Sequence, residues 1–219
     1  DHSIAIREGV AMVRTVAIIA VFLVIAALTG LWIVSRGGNE DQFAQCRQGQ
    51  VAGGTAAIGG PFELVSETGE TVTDEDVLTE PSLIYFGYTF CPDVCPMDAS
   101  RNAEAVDLLE GQGKIVQPVF ISIDPARDTT EVVAEFTDYL HPRMLGLTGS
   151  AAQIKAASQA YRTYYRKQEP EDGDEEYYLM DHSTFTYLTL PGYGFVEYFR
   201  RDTTPEDMAA RVGCFLDNM

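Results

Sequence analysis

Two cysteines four residues apart, Cys91 and Cys95, fall where an apolar run gives way to a helical one, and that junction restricts the folds open to the chain. The run Leu83-Ile84-Tyr85-Phe86 reads as a strand buried on both faces. Ala99 to Leu109 reads as a helix, opened by Pro96 in its first turn, where a missing N–H costs nothing. Between them lies Gly87-Tyr88-Thr89-Phe90-Cys91-Pro92-Asp93-Val94-Cys95-Pro96. A buried strand that feeds straight into a helix is the start of a βα unit, so the expected class is α/β. Two thiols at this spacing can meet on one helical face. Free N–H groups and positive partial charge at a helix start favour thiolate over thiol. The pair is therefore a metal site or a redox switch; the flanking prolines and the helix-start position argue against two inert core cysteines.

Strand and helix signals alternate after residue 60. Phe62-Glu63-Leu64-Val65 and Glu70-Thr71-Val72 flank Thr68-Gly69, a hairpin signal. Ser82 to Tyr88 and Gln117 to Ile123 read as strands, Pro96 to Leu109 and Thr130 to Leu140 as helices, the second ending before His141-Pro142. Ser150 with Gln153 makes a capping box for a helix reaching about Tyr165. His182 begins another buried strand. Thr184 to Leu190 and Phe195 to Arg200 form a hairpin around Pro191-Gly192, and Thr204-Pro205-Glu206 caps a last helix to about Asp217. This order suits a thioredoxin-like α/β domain.

Three separated segments carry a family likeness. Gly87-Tyr88-Thr89-x-Cys91-Pro92-Asp93-Val94-Cys95-Pro96, then Ser122-Ile123-Asp124-Pro125-x-Arg127-Asp128-Thr129, then Asp181-His182-Ser183 resemble, in order and spacing, the Sco/SenC copper metallochaperones of cytochrome c oxidase assembly. The resemblance covers roughly Ile58 to Leu216. It implies that Cys91, Cys95 and His182 bind copper, as Cu(I) or Cu(II), for delivery to the dinuclear centre of a copper-binding oxidase subunit. From the residues alone His182 stays open, because a single histidine at a strand start is ordinarily a hydrogen-bonded structural residue. The donor chemistry agrees with the resemblance: soft thiolates select Cu(I), and an added imidazole lets the site hold Cu(II) as well. A closed structural zinc site recruits a fourth protein ligand, and His141 before a proline and His2 near the start are poorly placed to supply it. Met97 and Met180 read as packing.

The remaining candidates have two readings each. Asp181 orients His182 from behind or ends a turn. Asp124, Arg127 and Asp128 read as an ion-pair network that fixes the loop after the Gln117 to Ile123 strand, with partner recognition as the lesser reading. Cys46 and Cys214 lack ligand-like spacing; in an oxidising compartment they could pair and pin the N-terminal segment to the last helix. A rival reading makes the protein an enzyme, a thiol-disulfide oxidoreductase in which Cys91 attacks and Cys95 resolves to reduce the cysteines of a copper site. Thioredoxin-like reductases commonly place a cis-proline where this chain has Asp181-His182-Ser183, which favours metal. A thiol peroxidase is disfavoured, because the upstream proline of P-x-x-x-T-x-x-C is missing before Cys91.

Between Arg14 and Arg36 there is no charged residue; Thr15 to Ser35, 21 residues, is long enough to cross about 30 Å of hydrocarbon as a helix. It is longer than a signal-peptide core and no A-x-A site follows it, so an uncleaved transmembrane anchor is expected. Trp32 suits the interface. Arg7 and Arg14 precede the run and Arg36 and Arg47 follow it, so flanking charge does not orient it. The four cysteines and the resemblance both place the domain in an oxidising space. That space is the periplasm at a bacterial inner membrane, or the intermembrane space of a mitochondrion. The expected organisation is a cytoplasmic segment 1–14, a membrane helix 15–35, a Gly- and Ala-rich tether 36–60 and a domain 61–219. The chain carries 33 acidic and 15 basic residues, net −18. Two of each sign precede the apolar run, so the whole excess belongs to the residues on its C-terminal side and excludes nucleic acid as a partner. Its plain consequence is solubility; it also attracts basic partners. The densest cluster, Glu169-Pro170-Glu171-Asp172-Gly173-Asp174-Glu175-Glu176, reads as a solvated loop before His182.

Overall fold

The computed structural model describes residues 14, 17–32, 41–48, 54–169 and 177–219. It divides into two units, Asp1–Ala44 and Gln45–Met219. In the first, residues 17–32 form helix α1, whose large apolar side chains are all more than half exposed. Among the described residues no helix is long and apolar enough to cross a membrane. Residues 15, 16 and 33–35 of the expected span lie outside the described residues, as do 1–13 and 36–40. Most of the acidic cluster, residues 170–176, lies outside them too.

The second unit is built on strands β1 (Glu63–Ser66), β2 (Thr71–Thr73), β3 (Ser82–Gly87), β4 (Gln117–Ser122) and β5 (Leu145–Thr148). Further along come the short β6 (Tyr165–Lys167) and β7 (Met180–His182), then β8 (Thr186–Leu190) and β9 (Gly194–Phe199). Seven of them form one sheet in the order β2-β1-β5-β4-β3-β8-β9, while β6 and β7 pair separately. All six residues of β3 are buried, as its continuous apolar sequence requires of a central strand. It runs parallel to β4, with Tyr85 beside Phe120, and antiparallel to β8, with Tyr85 beside Thr186. Parallel neighbours need a crossover. Helix α3 (Val94–Glu110) links β3 to β4, and α4 (Thr130–Leu140) links β4 to β5, with Thr129 capping its start. The short α2 (Asp74–Val77) carries a complete capping box from Thr73 and Asp76. Helices α5 (Ala151–Ala160) and α6 (Pro205–Asp217) complete the set, and α6 packs beside α3.

Several expectations are corrected. Helix α5 stops at Ala160, short of Tyr165, because Arg162 takes a left-handed φ of 53° that cannot continue a right-handed helix. Tyr165 then opens β6 instead. His182 ends β7 and does not begin the next strand, which starts at Thr186. Residues 45–48 and 54–60, placed in the tether by composition, run along the domain. Arg47 Nε donates to Val196 O at 3.0 Å and the Gln48 N–H to Glu197 Oε2 at 3.0 Å, which covers β9, an edge strand. Farther on, the Gly59 N–H donates to Ala160 O at 2.9 Å.

Candidate metal centre

The site forms where β3 turns into α3. At the end of β3, Gly87 lets the strand pass under Cys95: a Cβ there would come within 2.8 Å of the Tyr85 ring, 3.0 Å of Phe120 and 3.2 Å of the Cys95 sulfur. Cys95 sits in the first turn of α3 and its N–H donates to the Cys91 sulfur at 3.3 Å. The loop carrying Cys91 is pinned by Asp128, which is fully buried and accepts from the Thr89 N–H at 3.1 Å, Thr89 Oγ1 at 2.6 Å and Ser122 Oγ at 2.5 Å. Burial nevertheless raises the Asp128 carboxyl above its ordinary range. Asp124 takes an ion pair from Arg127 at 2.5 Å and a hydrogen bond from the Tyr178 hydroxyl at 2.6 Å. The Arg127 guanidinium lies 3.5 Å from the centre of the Tyr178 ring and 4.5 Å from that of Phe90. These contacts bind the cysteine loop, the β4–α4 loop and the segment before β7 into one support.

His182 arrives from the β6–β7 hairpin. Its Nε2 is 3.3 Å from the Cys95 sulfur, and its Nδ1 is 2.9 Å from Ser183 O. A carbonyl only accepts, so Nδ1 carries the proton and Nε2 offers a lone pair on the sulfur side. The imidazole is edge-on to two rings, Tyr85 at 6.3 Å and 81° and Tyr88 at 5.8 Å and 87°. The two sulfurs and one imidazole nitrogen all lie within 4.8 Å of one another. The cysteines share a proton unequally. A hydrogen bond from the Cys95 thiol, helped by the backbone N–H groups of Asp93 and Cys95, holds Cys91 down to about 3 against the cost of burial. The same bond to Cys91, and burial, push Cys95 up. One thiolate, one thiol and one nitrogen lone pair make a soft donor set, which suits copper and not a hard cation.

Asp181 does not orient His182. Its carboxylate accepts from Arg166 Nη2 at 2.9 Å and Gln168 Nε2 at 2.6 Å across the hairpin, while Ser183 O takes the imidazole proton. Met97 is exposed on the surface and Met180 packs in the core. The structure joins Cys46 and Cys214 in a disulfide, Cα to Cα 5.7 Å across 168 positions of sequence. Three supporting residues escaped the sequence reading: Tyr85, Tyr88 and Asp98. The Tyr85 hydroxyl donates to Asp98 Oδ2 at 3.1 Å, and Asp98, buried, pairs with Arg101 at 3.4 Å. The available signal was a hydroxyl in an otherwise apolar strand and an acid one helical turn after Cys95.

A second cluster, Asp107, Glu110 and His141, brings three donors together. There the Arg143 N–H donates to His141 Nδ1 at 3.0 Å, so Nε2 keeps its proton for Asp107 at 3.2 Å, and Glu110 pairs with Arg143 at 3.1 Å. The imidazole has no lone pair left for a cation, and the cluster closes the C-terminal end of α4.

The SCO1/SenC family model matches residues 50–217. Protein SenC of Rhodobacter capsulatus is 54% identical over 207 residues, covering 94% of this chain and 90% of that protein. The mitochondrial SCO1 homolog of Homo sapiens is 40% identical over 74% of this chain and 54% of its own length. Among solved structures, Arabidopsis thaliana ScoI with copper bound is similar with a TM-score of 0.68 and 40% identity, covering 74% of this chain and 99% of that one. Yeast Sco1 with copper bound gives 0.69 and 34% identity, covering 74% and 90%. The mixed α/β sheet of this chain is the thioredoxin-like fold of those Sco structures. With a family match across three-quarters of its length and relatives as close as these, the chain belongs to the SCO1/SenC family.

Proposed function

We propose that this protein binds copper through Cys91, Cys95 and His182 and delivers it to the dinuclear copper centre of a cytochrome oxidase subunit. The observation that carries the reading is the meeting of two sulfurs and an imidazole nitrogen within 4.8 Å, in a family whose plant and yeast members have been solved with copper bound. Cys91, held as thiolate, is the first ligand. Capture then displaces the proton of Cys95, and His182 completes a three-donor site. Ser183 O fixes the imidazole tautomer and the two tyrosine rings fix its plane, so little reorganisation accompanies binding. Release is ligand exchange, in which thiolates of the acceptor replace Cys91 and Cys95. Phe90 and Met97, exposed beside the two cysteines, offer an apolar rim, and the net charge of −18 favours a basic acceptor surface. Oxidation of the pair to a disulfide, with the one proton of Cys95 and two electrons passing to an oxidant, removes two of three ligands.

We also infer a membrane anchor at residues 15–35, with the domain on the periplasmic side of a bacterial inner membrane or the intermembrane-space side of a mitochondrial one. A helix apolar on every side, such as α1, suits lipid. The rival thiol-disulfide reductase draws support from the split of Cys91 and Cys95 into one thiolate and one thiol. Titrating copper into the reduced full chain in detergent decides between them. One copper ion per chain with sulfur-to-copper charge transfer is the expected result; a reduced protein that takes up no copper refutes the chaperone reading.

A further inference from the structure

The inner face of α3 meets the His182 segment twice. At the first meeting the Cys95 sulfur lies 3.3 Å from His182 Nε2. Asn102 stands seven residues beyond Cys95, two turns on and therefore on the same face, and there it meets Thr186, the first residue of β8. Thr186 Oγ1 donates to Asn102 Oδ1 at 3.1 Å and accepts from Arg101 Nη2 at 2.9 Å, while the same Nη2 lies 3.2 Å from Asn102 Oδ1 and donates to it. The triangle is closed and buried: Arg101 is 8% exposed, Asn102 2% and Thr186 0%. Arg101 reaches further through Nη1, which donates to Arg200 O, just past β9, at 3.0 Å and pairs with Asp98 at 3.4 Å. Asp98 in turn holds the hydroxyl of Tyr85, whose ring is edge-on to His182.

Two turns of helix advance about 10 Å, and the four residues from His182 to Thr186 reach at most about 14 Å when fully extended. A connection with so little slack carries a displacement of Thr186 back to His182. The choice of a cation at this depth points the same way. A buried ion pair is expensive to desolvate and adds little net stability, whereas one planar guanidinium fixes three oxygen acceptors, on Thr186, Asn102 and Arg200, in a single geometry. We propose that Arg101 is a positioning residue of the copper centre: through Thr186 and Asn102 it sets how far His182 reaches toward Cys95, and so how tightly the imidazole completes the copper site. The inference rests on the copper-binding function proposed for Cys91, Cys95 and His182.

The test uses the full chain in detergent, reduced and loaded with Cu(II), as parent, Arg101→Lys, Thr186→Val, Thr186→Ser and Arg211→Lys. Arg101→Lys keeps the charge beside Asp98 but not the planar fork; Thr186→Val removes the hydroxyl that Thr186→Ser keeps. Arg211→Lys is the structural control, because Arg211 pairs with the buried Glu197 at 2.7 Å and ties α6 to β9, neither of which carries a ligand. Arg101→Lys and Thr186→Val are each expected to bind one copper, to show weaker coupling of the copper spin to an imidazole nitrogen, and to lose copper to a competing chelator about tenfold faster than the parent. Thr186→Ser and Arg211→Lys are expected to match the parent in both. Parent-like coupling and loss rate in either Arg101→Lys or Thr186→Val overturn the proposal. An equal change in Thr186→Ser or Arg211→Lys overturns it too, since the effect is then a general loosening of the fold. If Arg101→Lys does not fold, the two Thr186 forms decide, and identical behaviour in Thr186→Val and Thr186→Ser overturns the proposal. A parent that binds no copper refutes the underlying copper reading, whereas a copper-bound parent with unmoved variants refutes the role of Arg101 alone.

Discussion

The imidazole Nε2 of His182 and the sulfur of Cys95 lie 3.3 Å apart although 87 residues separate them in the chain. The antiparallel pairing of β3 with β8 sets Tyr85 against Thr186, so the last turn of β3 and the approach to β8 share one end of the sheet. His182→Ala should therefore weaken copper binding and remove the imidazole signal from the copper spectrum. Because His182 is partly exposed, stability should change by no more than about 1 kcal/mol. Copper affinity and spectroscopy on the variant, with thermal unfolding as the control, check this; unchanged coordination would sink the three-ligand site.

The unequal sharing of a proton between Cys91 and Cys95 predicts a pH signature. Only a thiolate attacks an alkylating reagent, and an ordinary thiol with a pKa of about 8.5 is almost wholly protonated at pH 5. Cys91, held down to about 3, stays ionised there, while Cys95 is pushed the other way. In the reduced, metal-free chain one cysteine should react at a nearly constant rate from neutral pH down to about 5, slowing only as the pH approaches about 3. Peptide mapping should place the label on Cys91. Labelling that falls tenfold per pH unit below pH 8 would contradict the assignment.

Much of this arrangement was legible because it is local. The buried run of β3, the cysteines at the start of α3 and the caps at Ser150 and Thr204 each depend on neighbours in sequence. Strand β5 was not legible: Leu145-Gly146-Leu147-Thr148 is short and contains a glycine, which weakens any strand signal. The glycine is there because a Cβ at position 146 would collide with Val133 of α4 and with Glu67. Asp181 was attractive only by adjacency. Consecutive residues of a strand face opposite ways, so while His182 turns to Cys95, Asp181 turns to its cross-strand partner Arg166. The ties from Tyr88 to Met180 and from Tyr85 to Asp98 exist only once the chain has folded.

Asp128 stands apart from the ligands yet should matter to them. Replacing it in Asp128→Ala leaves the Thr89 N–H, Thr89 Oγ1 and the fully buried Ser122 Oγ without their acceptor. The expected cost is about 1 to 3 kcal/mol of stability. The loop that holds Cys91 loses its tie to the end of β4, so copper affinity should fall with it. Denaturant unfolding and chelator competition measure the two effects. A variant of parent stability would show that Asp128 does not brace the loop.

The disulfide between Cys46 and Cys214 closes 168 positions of sequence, nearly the whole domain. Restricting so long a loop in the unfolded chain is worth roughly 3 to 5 kcal/mol in the chain-entropy account, before native-state strain is subtracted. The bond also holds residues 45–48 against β9, where Arg47 and Gln48 make their hydrogen bonds to Val196 and Glu197. Replacing both partners, Cys46→Ser with Cys214→Ser, should lower the unfolding temperature and speed amide exchange along β9, while the copper spectrum stays that of the parent. In protein oxidised at both pairs, graded reduction should free Cys91 and Cys95 before Cys46 and Cys214, because a stabilised Cys91 thiolate favours the reduced form of its pair. Alkylation mapping at each reductant concentration reads the order. Release of Cys46 and Cys214 first, or parent stability in the double variant, would show that this bond is not the staple of the fold.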